Sequence, residues 1–469
     1  MHISSLYGDY SIGSFGSEAK EFIDFLSDSG FSYWQVLPFC LPDECNSPYK
    51  SFGAFSGNPY FIDLPTLYKK GYISKADLDG AKQNSPYLCE FDRLKKERFS
   101  LLEKASKNFK DFNKMDKFFE EFPETLAFCE FMALKTANQN KAHSDWTIFT
   151  PDQNAFNVWK FVQYEFFTEW FEIKNYANSK GVKIIGDMPI YVDYDSSDLF
   201  YNKNEFLLDK NGKPTLVAGV PPDYFSKDGQ LWGNPLYNWN KMKQNGYTWW
   251  KRRIDFHKKL FDGVRIDHFR AFQDYFAIKP TEKTAKNGKW KKGPRLPFIN
   301  EIKKSLGDFT VIAEDLGLIT DEVRTLVKKS GFPGMKVLQF GFISEENSPH
   351  LPHNYENNSI AYTGTHDNNT LLGFVWESSD EIKNKITDYF GVERDKWNEC
   401  YDNVIKGMLL SPANLTVFPI QDILKYGADT RLNTPGIPKN NWAFRITENA
   451  IETVDEKYYY YINKLYGRI

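Results

Sequence analysis

Three short stretches of this chain each place a carboxylate at what reads as the end of a buried strand. They are Phe261-Asp262-Gly263-Val264-Arg265-Ile266-Asp267-His268-Phe269, Val311-Ile312-Ala313-Glu314-Asp315-Leu316-Gly317 and Ala361-Tyr362-Thr363-Gly364-Thr365-His366-Asp367-Asn368. Each runs from apolar or β-branched residues to an acid, then into a turn-forming stretch. The gaps between Asp267, Glu314 and Asp367 each fit one β/α unit with decoration. In a parallel α/β barrel all strand C-termini open on one face, so acids placed there converge. Like charges at close range repel, which makes a pocket of three acids costly to assemble. Paired carboxylates, one attacking and one protonating, point to glycosidic-bond chemistry.

Short apolar strand candidates recur at 33–39, 182–192, 263–269, 310–316, 335–342, 359–363 and 415–420, with a weak eighth at 2–5. Amphipathic stretches follow several of them, such as 321–330 with Thr320 as N-cap. The expectation is an α/β fold, a (β/α)8 TIM barrel with inserted, largely helical subdomains. A doubly wound sheet fits the pattern alone as well. The long gap after Phe39 opens with a Pro-, Ser-, Gly- and Asn-rich loop over 41–64, then turns to helical periodicity over 74–176. Leu94, Arg98, Leu101, Leu102, Ala105 and Phe109 lie along one side of a helix there. The chain therefore reads as one catalytic barrel domain over 1–469, with insertions at about 40–176 and 195–250.

Composition narrows the partners. Aromatics make up 17% of the 469 residues, enough to pack a core and leave rings for the apolar faces of sugars. A net charge of −3 gives no electrostatic footprint for nucleic acid. The basic run Arg93-Leu94-Lys95-Lys96-Glu97-Arg98 is broken by an acid and reads as a solvated helix face. Five cysteines without CxxC spacing argue against a disulfide scaffold or a zinc site. No secretion signal and no apolar run long enough to span a membrane is evident, so the expected location is the cytoplasm.

Asp267 is the best nucleophile candidate, because Arg265 two residues earlier shares its strand face and would hold it ionised. A structural Arg–Asp pair is the plainer reading of an isolated R-x-D. Glu314 suits the general acid, since the apolar Val311-Ile312-Ala313 edge would raise its pKa; the alternative is a turn cap. Asp367, after His366, is a third acid placed to bind sugar hydroxyls, or else part of a local turn. Asp187, ending Ile184-Ile185-Gly186-Asp187, is a fourth acid on that face. Asp193-x-Asp195-x-x-Asp198 lacks the glycine and distal Glu of a calcium loop and reads as a capped turn. A loop over 219–237, with Tyr224, Phe225 and Trp232, is a candidate lid.

These motifs resemble the 4-α-glucanotransferases of the amylomaltase or disproportionating-enzyme type, within the α-amylase clan. The resemblance covers nearly the whole length. It rests on Ser47-Pro48-Tyr49, Gly57-Asn58-Pro59, Gly186-Asp187-Met188-Pro189, the 221–237 loop, the three acid motifs and Arg431-Leu432-Asn433-Thr434-Pro435-Gly436. It implies Asp267 as nucleophile, Glu314 as acid/base and Asp367 as transition-state stabiliser. Arg265, His366, Asp187 and Tyr49 would be sugar contacts, with Tyr224, Trp232 and Asn234 in the loop covering the acceptor. It further implies a barrel without a C-terminal β-domain, no cofactor or metal, α-1,4-glucans and maltooligosaccharides as donors, and glucose or maltose as acceptors. Two departures stand out. Met1 directly precedes His2-Ile3-Ser4-Ser5-Leu6, which leaves the first barrel strand short, and Arg295 stands where many relatives carry glycine. An α-glucan hydrolase and a catalytically silent glucan-binding protein are the rival readings.

Overall fold

Short strands with buried residues on both faces build the frame. The computed structural model describes residues 1–42, 44–222, 226–344, 347–437 and 439–469. In chain order its strands are β1 (Tyr33–Gln35), β2 (Lys183–Met188), β3 (Val217–Val220), β4 (Gln230–Pro235), β5 (Gly263–Ile266) and β6 (Asp274–Ile278). They continue with β7 (Lys289–Lys292), β8 (Thr310–Ala313), β9 (Gly334–Val337), β10 (Ser359–Tyr362) and β11 (Leu415–Val417). One sheet runs β1-β2-β5-β8-β9-β10-β11, every neighbouring pair parallel. Helices such as Gln153–Ser179, Thr248–Leu260, Arg295–Leu306, Asp321–Ser330 and Tyr401–Leu410 connect them.

The two faces of this sheet bury different things. Ile185, Ile312, Met335, Val337, Ile360 and Tyr362 form their own apolar cluster. Ile184, Val264, Val311 and Ala361, one residue out of phase, join the large core shared with the helices. Alternation of this kind means the first set fills a barrel interior and the second faces the helical shell. The Tyr362 hydroxyl donates to Gln35 Oε1 at 3.0 Å, tying β10 to β1. The result is a nearly closed parallel TIM barrel. After β11 the described residues form helices and no further strand.

Gly186 shows how tightly helix, loop and strand approach. A side chain there would meet the Phe261 ring at 2.3 Å, so only glycine lets the segment leading into β5 lie against β2. The 27-residue helix Gln153–Ser179 starts where the Asp152 side chain accepts from the Ala155 amide, an N-cap. It buries Phe166, Phe167 and Trp170. Helices Phe91–Ser106, Phe112–Glu121 and Pro123–Ala137 of the 40–176 region lie between β1 and that helix, and their buried rings belong to the same core.

Four expectations are corrected. Residues 3–5 form a 3-10 turn instead of an eighth strand. The strand read over 335–342 stops at Val337, and Leu338–Ile343 is helical. Of the 219–237 stretch read as a loop, 219–220 and 230–235 are strand residues, β3 pairing β4 inside a second, antiparallel sheet ordered β4-β3-β6-β7, and Phe225 lies outside the described residues. Its outer strand Lys289–Lys292 is exposed throughout, so it carries no hydrophobic alternation for sequence reading to detect. Finally, the run 93–98 is not solvated at its end. Arg98 is 4% exposed and its guanidinium donates to the carbonyls of Tyr60 at 3.2 Å and Tyr10 at 2.7 Å.

That buried guanidinium stitches two loops to the helix Phe91–Ser106. Arg98→Leu leaves those carbonyls without their donor, and is expected to lower the unfolding free energy by roughly 2–4 kcal/mol. Urea titration checks it: the midpoint falls with an unchanged slope. A midpoint equal to that of the parent would contradict this account of the insertion's anchoring.

Candidate active site

Strand register decides which side chains meet. Asp187 of β2 stands opposite Arg265 of β5, and Arg265 opposite Ile312 of β8. Ile312 faces the barrel interior, so both charged side chains point there too, at the C-terminal ends of their strands. Arg265 donates to Asp187 Oδ2 through Nε at 3.0 Å and Nη2 at 2.8 Å. The same Nη2 lies 3.1 Å from the Tyr49 hydroxyl and 3.0 Å from Asp267 Oδ1. Tyr49 in turn donates to Asp187 Oδ2 at 2.7 Å. Arg265 and Asp187 are almost wholly buried, and such a cation is tolerable only because paired acids surround it.

Asp267 and Glu314 emerge from the ends of β5 and β8. His268 sits between them in the left-handed region, φ +48°, a strained setting for a non-glycine residue. That turn aims the His268 amide at Glu314 Oε2, 2.6 Å away, while the Leu316 amide reaches Oε1 at 2.9 Å. Glu314 is 8% exposed. Burial, then the negative Asp267, pushes its carboxyl well above the ordinary carboxylate range. Burial also raises Asp267, but there the touching Arg265 charge opposes the rise, and a side chain 30% exposed keeps some hydration. Direct contact with the guanidinium favours the ionised form of Asp267, while burial favours the protonated form of Glu314.

Asp367 follows β10 in a turn fixed by Asn368, whose Oδ1 accepts from the Thr365 amide and hydroxyl at 3.0 and 2.8 Å. Asn433 Nδ2 donates to Asp367 Oδ1, and Arg431 Nη2 to the Asp367 carbonyl, both at 2.5 Å. Its neighbour His366 stacks on Tyr49 with ring centres 5.1 Å apart, and burial lowers its pKa, so the ring is neutral at pH 7. A cleft of about 940 Å³ gathers Asp267, Glu314, Asp367, Arg265, His366 and Tyr49 on one surface. Trp232 and Asn234, on β4, form part of the wall. Trp232 meets His268 edge to face at 4.9 Å, and Asn234 Nδ2 donates to the Val192 carbonyl at 3.0 Å. Asp187 lies beneath Arg265 and Tyr49 and is not among the residues lining the cleft. Tyr224 lies outside the described residues.

The chain has known relatives. A family model described as 4-alpha-glucanotransferase matches residues 1–450. The 4-alpha-glucanotransferase of Clostridium butyricum is 43% identical over 488 aligned positions, covering 100% of both chains.

The chain belongs to the 4-alpha-glucanotransferase family.

The fold agrees. The amylomaltase from Streptococcus agalactiae, solved in complex with acarbose, has a TM-score of 0.95 at 37% identity, covering 100% of this chain and 98% of that one. The amylomaltase from Corynebacterium glutamicum shares the fold, with a TM-score of 0.81 at 16% identity over 99% of this chain and 74% of its own. This glucanotransferase-family chain carries cleft residues that motif reading left without a role. Arg431 and Asn433 clamp Asp367; their motif was visible, but nothing in it says which acid it touches. Trp290, 40% exposed, lines the cleft with the Arg270 guanidinium 3.9 Å over its ring; only the unforeseen second sheet brings it there. Asp193, Asp195 and Asp198 do not converge. Asp193 accepts from the Asp195 amide, Asp195 pairs with Lys135, and Asp198 accepts from the Ala54 amide. Arg295 adopts φ +58°, the conformation that favours glycine.

The raised Glu314 carboxyl has a measurable cost. Between its ordinary value of 4.5 and its raised value of about 8, the folded protein holds a proton that the unfolded chain releases, so stability falls as pH rises through that window. Glu314→Gln removes this dependence. The variant is expected to melt increasingly above the parent as pH climbs from about 5 to about 8, with the gap constant beyond. A pH-independent gap in calorimetry would contradict the assignment.

Proposed function

We propose that this enzyme is a retaining 4-α-glucanotransferase that moves a segment of an α-1,4-glucan onto the 4-hydroxyl of another glucan or of glucose. What supports this most is the convergence of Asp267, Glu314 and Asp367 on one aromatic-walled cleft in a chain of this family. In the first step Asp267 attacks the anomeric carbon while Glu314 gives its proton to the departing glycosidic oxygen. The glucan leaves with a free 4-hydroxyl, and a β-linked glycosyl ester forms on Asp267. In the second, the Glu314 carboxylate takes the proton of an acceptor 4-hydroxyl, whose oxygen displaces Asp267 and restores the α configuration. Arg265 stabilises the Asp267 carboxylate before attack and as it departs. Asp367 and the neutral His366 hydrogen-bond sugar hydroxyls, and Asp187 acts by holding Arg265 and Tyr49.

Acceptor choice separates transfer from hydrolysis. Trp232 and Asn234 offer a stacking plane and an amide on the wall next to Glu314, favouring a sugar over water in the second step. The relative solved with acarbose supports a sugar-binding reading of the cleft. We place the enzyme in the cytoplasm: Cys40, Cys89, Cys129 and Cys400 are free thiols, as a reducing compartment would keep them. Among the described residues no helix is long and apolar enough to cross a membrane.

Incubation with pure maltotriose tests the reading. The expected products are glucose with a ladder of longer maltooligosaccharides and almost no gain in reducing ends; shorter sugars alone, with reducing ends rising, would make it a hydrolase. Asp267→Asn should lower kcat by roughly 10³-fold or more, and retained activity would remove it as nucleophile. Asn433→Ala frees Asp367 from a direct donor, so kcat should fall about 10–100-fold while the melting temperature barely moves, because Asp367 is an exposed residue. Unchanged kcat would show that the clamp has no part in turnover.

A further inference from the structure

Packing does not hold Asp367 in place. Its side chain is 47% exposed, so the loop between Thr363, just past β10, and the helix Leu371–Glu377 has to set its position. His366, beside it in that loop, has separate support: its ring stacks on Tyr49 and lies 5.7 Å from the Trp442 ring.

Both ends of the loop meet one buried side chain. Asp422, on the short helix Ile420–Ile423 that follows β11, is 1% exposed. Its Oδ2 accepts from the Thr363 hydroxyl at 2.5 Å, and its Oδ1 accepts from the Leu371 amide at 2.7 Å. Thr363 is itself fully buried, and the Leu371 amide opens a helix, so it has no acceptor within that helix. Burial pushes the Asp422 carboxyl up to about 6, and those two hydrogen bonds are what oppose the rise. An acid buried without a paired cation is costly to keep. Asp422 is not among the residues lining the cleft. What it touches instead are the first and last residues of the segment that carries Asp367.

The same stretch of chain reaches Asp367 from a second direction. Gln421 Nε2 donates to the Thr430 carbonyl at 3.1 Å, which folds 421–430 back on itself. Arg431 and Asn433, directly beyond that tie, donate to the Asp367 carbonyl and carboxylate. Residues 420–433 therefore fix where the loop starts and ends as well as where its acid points.

We propose that Asp422 is a positioning residue for Asp367, a staple that holds the two ends of the 363–371 loop so that the exposed carboxylate keeps its place at the cleft. This rests on the reading of Asp367 as a group that acts on the sugar during turnover. Displacing such a group by about 1 Å is enough to cost on the order of 100-fold in rate.

A double-mutant cycle on maltotriose disproportionation tests it. Asp422→Ala removes both bonds and should lower kcat about 10–100-fold, with KM within about twofold of the parent. Asp422→Asn keeps an acceptor for the Leu371 amide and a polar partner for the Thr363 hydroxyl, so its kcat should stay within about threefold of the parent. In an Asp367→Asn background the acid served by the staple is gone, and adding Asp422→Ala should lower kcat less than about threefold further. Loss of the full factor in that background, Asp422→Ala equal to the parent, or Asp422→Asn as slow as Asp422→Ala would each overturn the staple, while a slow Asp367→Asn enzyme keeps the acid's own role. A parent-like kcat in Asp367→Asn would overturn both. If Asp422→Ala does not fold, Thr363→Val takes its place in the cycle. A fall in kcat of at least about fivefold is then expected, and an unchanged kcat would overturn the proposal.

Discussion

One buried guanidinium organises the chemistry of this molecule. Arg265 touches Asp187, Tyr49 and Asp267 at once, in a barrel interior that water barely reaches. Without it, two carboxylates would share a desolvated space with no opposing charge. Parallel register supplies the coincidence, since Asp187 and Arg265 are ladder partners on adjacent strands and Asp267 is the next residue but one. The strands therefore do more than scaffold: a slip of one residue would turn Arg265 into the helical shell.

Charge separation between the two reacting acids follows from the same contacts. Asp267 touches Arg265, while Glu314, among the described residues, receives only backbone amides and sits deeper. One acid is thereby suited to attack and the other to carry a proton. The left-handed His268 turn is the local strain that makes this possible, because it points an amide at Glu314 within a residue of the nucleophile. Its imidazole meanwhile packs on Trp232, linking the two acids to the cleft wall through a single residue.

Much of this was legible in the chain and some was not, for definite reasons. Seven barrel strands announced themselves because strands buried on both faces read as apolar runs. Asp267, Glu314 and Asp367 were found because each ends such a run. The second sheet was hidden: Lys289–Lys292 is a charged, exposed strand, and the hairpin carrying Trp232 is rich in Gly, Pro and Asn, which read as loop. Arg98 looked solvated because burial of a guanidinium depends on the carbonyls of Tyr10 and Tyr60, distant in sequence. Asn433 stood in a recognisable motif, yet its partner Asp367 lies on another loop, a pairing only the fold reveals.

The central claim is that Asp267 takes the sugar covalently while Glu314 governs the proton. Mass spectrometry of Glu314→Gln mixed with an α-maltosyl fluoride donor tests it most directly, since fluoride leaves without needing the acid and the missing base slows release. The account predicts a stable adduct of one maltosyl unit on the peptide containing Asp267, absent in the double variant with Asp267→Asn. An adduct on another residue, or none despite fluoride release, would contradict it.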